Sequence, residues 1–183
     1  ATRAATITQG KIDAAGTDPA TTLADLKADH VYSVPLISGA ASLIVANKKM
    51  LESAGVSAED APATWEQWVS DMKKVKAADP KNGGLISGLQ VPQVAYFWLY
   101  QPMAAAYLGP EVAVSRGAEK QDPKWNSKES IETLEIWSEL NPVWSDGVFN
   151  LGIDQADQAF AQGKAAYDLG GSFTLPFLVQ QGM

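Results

Sequence analysis

The sequence predicts an α/β domain in which several helices pack around a small mixed sheet. Three observations carry this. Short apolar runs at 42–46, 84–89 and 165–169 are bracketed by glycines or helix caps, as buried strands are. Between them lie segments with apolar residues at helical spacing, the clearest being Trp65, Trp68, Val69, Met72 and Val75. Strands that alternate with helices favour an α/β layer over a bundle.

The elements follow in order. Residues 1–20 are small, polar and turn-rich, without a period, and are expected to be loosely ordered. A short helix is expected at 22–29 and a strand at 31–35, followed by the buried strand at 42–46. Asn47 can cap a two-turn helix with Met50, Leu51 and Ala54 inward and Gly55 closing it. Thr64 with Gln67 forms a capping box for the next helix, which Asp79-Pro80 ends. The strand at 84–89 leads into an apolar helix over 92–108, kinked or started near Pro102. Residues 109–122 read as loop, with a hairpin strand at 112–115. Asn126 and Glu129 can cap a helix that carries Ile131, Leu134, Trp137 and Leu140, and Pro142 disrupts it before Trp144.

The stretch DQADQAFAQGKAAYDLGGSFTLPF, residues 154–177, is the most informative. Asp154 can cap a helix with Ala156, Ala159 and Phe160 on one face, and Gly163 is placed to end it. A strand interrupted only by Asp168 follows. Gly170 and Gly171 then let the backbone approach a ligand closely, with Ser172 as donor and Phe173 as a flat apolar face. A strand running through a glycine turn into a helix is where open α/β sheets tend to hold ligands. No acid, base or nucleophile is assembled there, so the expected role is binding.

Catalytic and metal chemistry find little support. His30 is the single histidine, and no Gly-x-Ser-x-Gly elbow offers a nucleophile. One histidine and no cysteine make a zinc site improbable, and the aspartates lack the alternate spacing of a calcium loop. No glycine loop carries the Lys-Ser/Thr that reaches a nucleotide. No cofactor is expected. Asp168 has two open readings: a buried polar partner of backbone amides, or a contact to ligand.

Composition narrows the partners. The net charge is −7, with 21 acids against 14 bases, which argues against nucleic acid. The longest apolar run, at 94–108, is 15 residues and contains Gln101 and Pro102, whereas a membrane helix needs about 20, so the chain is not expected to span a membrane. Trp65, Trp68 and Trp137 lie on helix faces and are expected in the core.

Four segments resemble, in order, the motifs of the extracellular solute-binding proteins of ABC importers, in the group 1, maltose-binding-like branch. FAQGKAAYDLGGSF (160–173) resembles its F..GKAAM...GSW segment. VYSVPLISGAASLIVANKKMLESAGV (31–56) is similar to its Y.VP.......L.YNK.LFE.AGL, PATWEQWVSDMKKVK (62–76) to its P.TWDEW...AKKL, and YFWLYQPMAAAYLG (96–109) to its F..W.P.LAA.GG. The departures are Ala46 in place of a tyrosine, Phe173 in place of a tryptophan, and Leu108 interrupting the Gly-Gly.

The resemblance implies a periplasmic-binding-protein-like fold, with this chain holding mainly the helix-rich second of two lobes. Residues 1–30 would be a lead-in or remnant of lobe one, and 31–183 lobe two with hinge-crossing strands. The chain then reads as a piece of a longer protein, a stand-alone minimal domain being the alternative. The implied function is capture of a sugar or polyol by hinge closure and delivery to the transmembrane subunits of an ABC permease. The protein would be a monomer at full length, periplasmic or extracellular and associated with the cell surface. The alternative function is a carbohydrate-active hydrolase using Asp168. The implied ligand-binding residues are Trp98, four residues before Pro102, and Phe173, after Gly-Gly-Ser, supported by Tyr96, Asp168, Gly170, Gly171 and Ser172. Flat aromatic rings stack on the C–H faces of sugars while polar groups fix the hydroxyls.

Overall fold

A computed structural model describes residues 5–7, 30–33, 39–109 and 126–183. The helix expected at 22–29 and the hairpin strand expected at 112–115 lie outside the described residues. The chain divides into two compact units, 1–39 and 40–183.

In the first unit, β1 (Ala5–Ile7) pairs antiparallel with β2 (His30–Ser33), Thr6 opposite Val31. The sequence predicts β2 but no strand before it: three residues are too few to show an alternation.

The second unit is built on a three-stranded sheet in the order β3-β5-β4. Strand β3 (Ala41–Ala46) runs antiparallel to β5 (Ala165–Gly171), and β4 (Gly83–Ile86) runs parallel to it. The three apolar runs therefore share one mixed sheet, as the sequence predicts. All seven residues of β5 are buried, which suits a central strand. Strand β4 ends earlier than expected, at Ile86. Ser87 turns its hydroxyl to the Leu169 carbonyl at 2.8 Å, and this side-chain bond replaces the ladder.

On one face of the sheet, Leu85, Tyr167 and Leu169 pack with Leu51 of α1 (Lys48–Ser53) and with Trp68, Val69, Met72 and Val75 of α2 (Trp65–Ala78). Both helices start as predicted. Asn47 Oδ1 accepts from the Met50 amide at 3.3 Å, and Thr64 Oγ1 accepts from Gln67 at 3.2 Å. Gln67 completes its half of the box one residue further out, accepting from Ala63. On the other face, Ile86 packs with Ala156 and Phe160 of α5 (Ile153–Ala161) and Leu178 of α6 (Thr174–Gln180).

The apolar helix α3 is composite. It begins at Pro92–Val94, widens into a π-helical segment at Ala95–Tyr100 and continues as α-helix over Gln101–Leu108. The widening has a local cause. Pro102 has no N–H to give the Trp98 carbonyl and its ring would collide with that carbonyl, so the backbone opens and Gln101 N bonds Tyr96 O instead.

Two caps and one helix face differ from expectation. Helix α5 is capped at Gly152, whose amide donates to Gln155 Oε1 at 2.9 Å; Asp154 sits in the first turn, where its charge opposes the helix dipole. Helix α4 (Lys128–Ser138) is capped by Ser127 rather than Asn126, Ser127 Oγ accepting from Ser130 at 3.3 Å. Its Ile131 and Leu134 face outward while Ser130 and Thr133 are buried. Thr133 is tolerated inside because its hydroxyl donates back to the Glu129 carbonyl at 2.7 Å.

Candidate functional site

Beyond the end of β5, two aromatic rings from distant parts of the chain meet. Trp98 projects from the π segment of α3 and packs against the cores on both faces of the sheet. Phe173 is half exposed and caps α6. Their ring centroids are 5.6 Å apart, inclined at 50°. The structure thus brings together the two aromatics singled out from the sequence, one half-buried and one open to solvent.

The glycine turn is organised differently from the sequence expectation. A side chain at Gly170 would run into Thr174, with a Cβ only 3.2 Å from the Thr174 Cβ. One at Gly171 would run into the Phe173 ring, 2.9 Å from its Cδ1. Both glycines are buried, and their missing side chains make room for the chain's own return. Ser172 is held to the start of β3: its amide donates to the Ala40 carbonyl at 2.7 Å and its hydroxyl accepts from the Ala40 amide at 3.0 Å. Helix α6 opens at Thr174, two residues after Ser172, whose own amide is taken up by Ala40. The hydroxyl proton of Ser172 is not used by the Ala40 bond.

Tyr96 lies apart from this pair. It stacks on Tyr100 at 5.8 Å and meets Phe97 edge-on at 4.9 Å, within a cluster around Ala104. Asp168 lies on the α5 face of β5, between Val45 and Ile86, and is fully buried. Neither of its carboxyl oxygens accepts a hydrogen bond from a backbone amide. Burial first, then the charge of Asp157 and a hydrogen bond to it, push its carboxyl up to about 8.

Beside Trp98, on the opposite face of the sheet from Asp168, a cavity of about 790 Å³ opens between β3, α2, α3 and α4. Trp65, Trp98, Tyr107 and Met103 give it apolar walls, and Ser42, Glu66 and Glu139 give it polar groups. Trp65 Nε1 donates to Glu139 Oε2 at 3.0 Å, and Tyr107 donates to Glu132 at 3.0 Å. Trp65 and Tyr107 are additions that sequence reasoning did not single out. Helical spacing assigned Trp65 to the core, where Trp68 lies buried, but Trp65 stands only half-buried at the cavity wall. Among the described residues there is no cluster of side chains suited to a metal ion and no helix long and apolar enough to cross a membrane.

Comparison with known proteins adds the following. The profile of the bacterial extracellular solute-binding proteins matches residues 5–175. The search of curated proteins returns no match. Among solved structures, a chitin oligosaccharide binding protein is similar with a TM-score of 0.67 at 22% identity, over 82% of this chain and 36% of that one. RafE in complex with raffinose has a TM-score of 0.64 at 19% identity, over 82% and 39%. An ABC transporter solute-binding protein from Agrobacterium radiobacter in complex with ribitol has 0.62 at 22%, over 80% and 35%. These likenesses establish the fold, and the chain spans little more than a third of the length of these neighbours.

Proposed function

The chain belongs to the bacterial extracellular solute-binding proteins, and we propose that it supplies part of the substrate-binding component of an ABC importer, capturing a sugar or polyol. The observation that carries this is the pairing of Trp98 with the solvent-exposed ring of Phe173. Two inclined aromatic planes at a surface suit the C–H faces of a pyranose or an extended polyol, and Ser172 has a hydroxyl proton to offer beside them. The neighbours' raffinose and ribitol complexes support the same ligand class.

The mechanism is closure of a second lobe over this face. A ligand that contacts both lobes stabilises the closed form by its differential affinity, and the permease recognises that form. This places the working protein outside the cytoplasmic membrane, periplasmic or tethered at the cell surface, and monomeric at full length. A hydrolase reading requires a carboxyl that reaches the sugar, and Asp168, its candidate, is sealed beneath the sheet.

The test is thermal shift and calorimetric titration against raffinose, ribitol, galactose and chitin oligosaccharides. A rise in Tm without turnover of a chromogenic glycoside supports binding. Turnover without a shift supports the hydrolase, and no response to any of them removes the sugar reading.

A further inference from the structure

We propose that the cavity beside Trp98 recognises an organic cation, so that the solute is an amino sugar held through its protonated amine. That a sugar carries the cation rests on the reading of the chain as part of a sugar-binding protein.

The cavity walls are acidic and aromatic. Three carboxylates, Asp60, Glu66 and Glu139, line it, and among the described residues no lysine, arginine or histidine does. The ion pairs among the described residues, Lys74–Asp71, Lys76–Asp146 and Lys128–Glu132, engage none of the three. Glu139 is held in place, its Oε2 accepting the Trp65 indole N–H at 3.0 Å. A carboxylate so held still has lone pairs for a second donor. Trp65 in turn meets Trp68 edge-on at 5.6 Å, and Trp68 meets Tyr167 edge-on at 6.0 Å. Aromatic surface thus runs from the half-buried Trp65 to the buried Trp68 and Tyr167. Carboxylates set among rings attract a cation twice, by opposite charge and by the negative faces of the rings. An ammonium on a carbon ring matches both.

The same wall holds an unpaired donor. Trp68 is only 7% exposed and lines the cavity, and its buried Nε1–H finds no acceptor among the described residues. A buried donor without a partner is costly, and a ligand oxygen that accepts from it removes that cost. A plain alkylammonium leaves the indole unpaired. A hydroxylated ring that bears an amine offers both groups, an oxygen for Trp68 and a nitrogen for Glu139. The volume of about 790 Å³ lies within the ~300–1,000 Å³ of small-molecule clefts and has room for a sugar of one or two rings. Trp98 lines this cavity and also meets Phe173, so the cavity adjoins the aromatic pair.

The experiment uses the full chain and titration calorimetry at about pH 6, where an amine is protonated. Glucosamine, its uncharged analogue N-acetylglucosamine, glucose and cyclohexylamine are titrated in turn. We expect glucosamine to bind about tenfold more tightly than either neutral sugar. That advantage should shrink as salt rises from about 20 mM to about 500 mM. Glu139→Gln should remove it, and Glu66→Gln gives the same readout should that variant not fold. Glu52→Gln, on α1 and outside the cavity, should keep it. Loss of the advantage in Glu52→Gln would mean attraction to the acid-rich chain as a whole and overturns the proposal. Neutral sugars that bind as tightly as glucosamine overturn it too, and leave the sugar reading standing. Cyclohexylammonium binding that Glu139→Gln abolishes, with no sugar bound, upholds the cation site and removes the sugar reading. No binding by either amine overturns the proposal.

Discussion

The ring of Phe173 folds back over Gly171, close enough that even a β-carbon at 171 would stand 2.9 Å from the ring's Cδ1. The same ring lies 5.6 Å from that of Trp98, centroid to centroid. Gly171→Ala should therefore displace the ring. The expected result is a stability loss of about 1–3 kcal/mol from overpacking, seen in denaturant melts, together with weaker sugar binding by calorimetry. An alanine variant that binds and melts like the parent would show that the ring is placed by something else.

Phe173→Ala separates binding from folding. Because the ring is half exposed, its removal should cost little stability yet weaken solute binding by about 1–3 kcal/mol, as a lost stacking anchor does. Trp98→Ala should lower both, since the indole packs against the cores on both sides of the sheet. Fully buried tryptophans removed in this way cost roughly 3–5 kcal/mol, and half-buried Trp98 should cost less. Equal behaviour of the two variants in melts would contradict the assigned placements.

Stability should depend on pH through Asp168. Its folded-state value of about 8 stands well above the ~3.9 of an unfolded aspartate. Between those limits the folded chain holds a proton that the unfolded chain has released, so this group's contribution falls as pH rises and levels off above about pH 8. Melting temperatures across that window should decline more steeply for the parent than for Asp168→Asn. Parallel profiles would refute the shift.

Pro102→Ala restores a donor to the Trp98 carbonyl and removes the clash that opens the π segment. The helix should close to regular α geometry and turn Trp98 away from Phe173. We expect tenfold or greater loss of sugar affinity, measured by calorimetry. Retained affinity would mean that the π segment is not what aims the indole.

The chain also leaves large apolar groups in solvent, among them Phe97, Phe149, Phe173, Ile131 and Val179. Monomeric proteins rarely expose extended apolar patches. This polypeptide by itself should bind a hydrophobic dye or self-associate in sedimentation, and a monodisperse, dye-silent monomer would argue otherwise.

Much of this architecture was legible in the residues themselves, because its determinants are local. Three apolar runs set off by glycines and caps gave the sheet, and Asn47 and Thr64 could be read as caps since a cap reaches only two or three residues along the chain. The order of four family-like segments gave the family that the profile match establishes. Elsewhere local signals competed and proximity chose between them. Gly152 and Ser127 won the caps from neighbours one or two residues away, and α4 turned Ile131 outward because packing favoured Thr133 within.

What tertiary structure alone decided is the company each functional group keeps. No spacing along the chain brings Trp98 to Phe173, sets Trp65 at a cavity wall, or joins Asp157 to Asp168. Those relations come from how α2, α3, α5 and α6 seat on one sheet. Packing is a sum over contacts distant in sequence, whereas caps, periods and turns are written within a few residues of where they act.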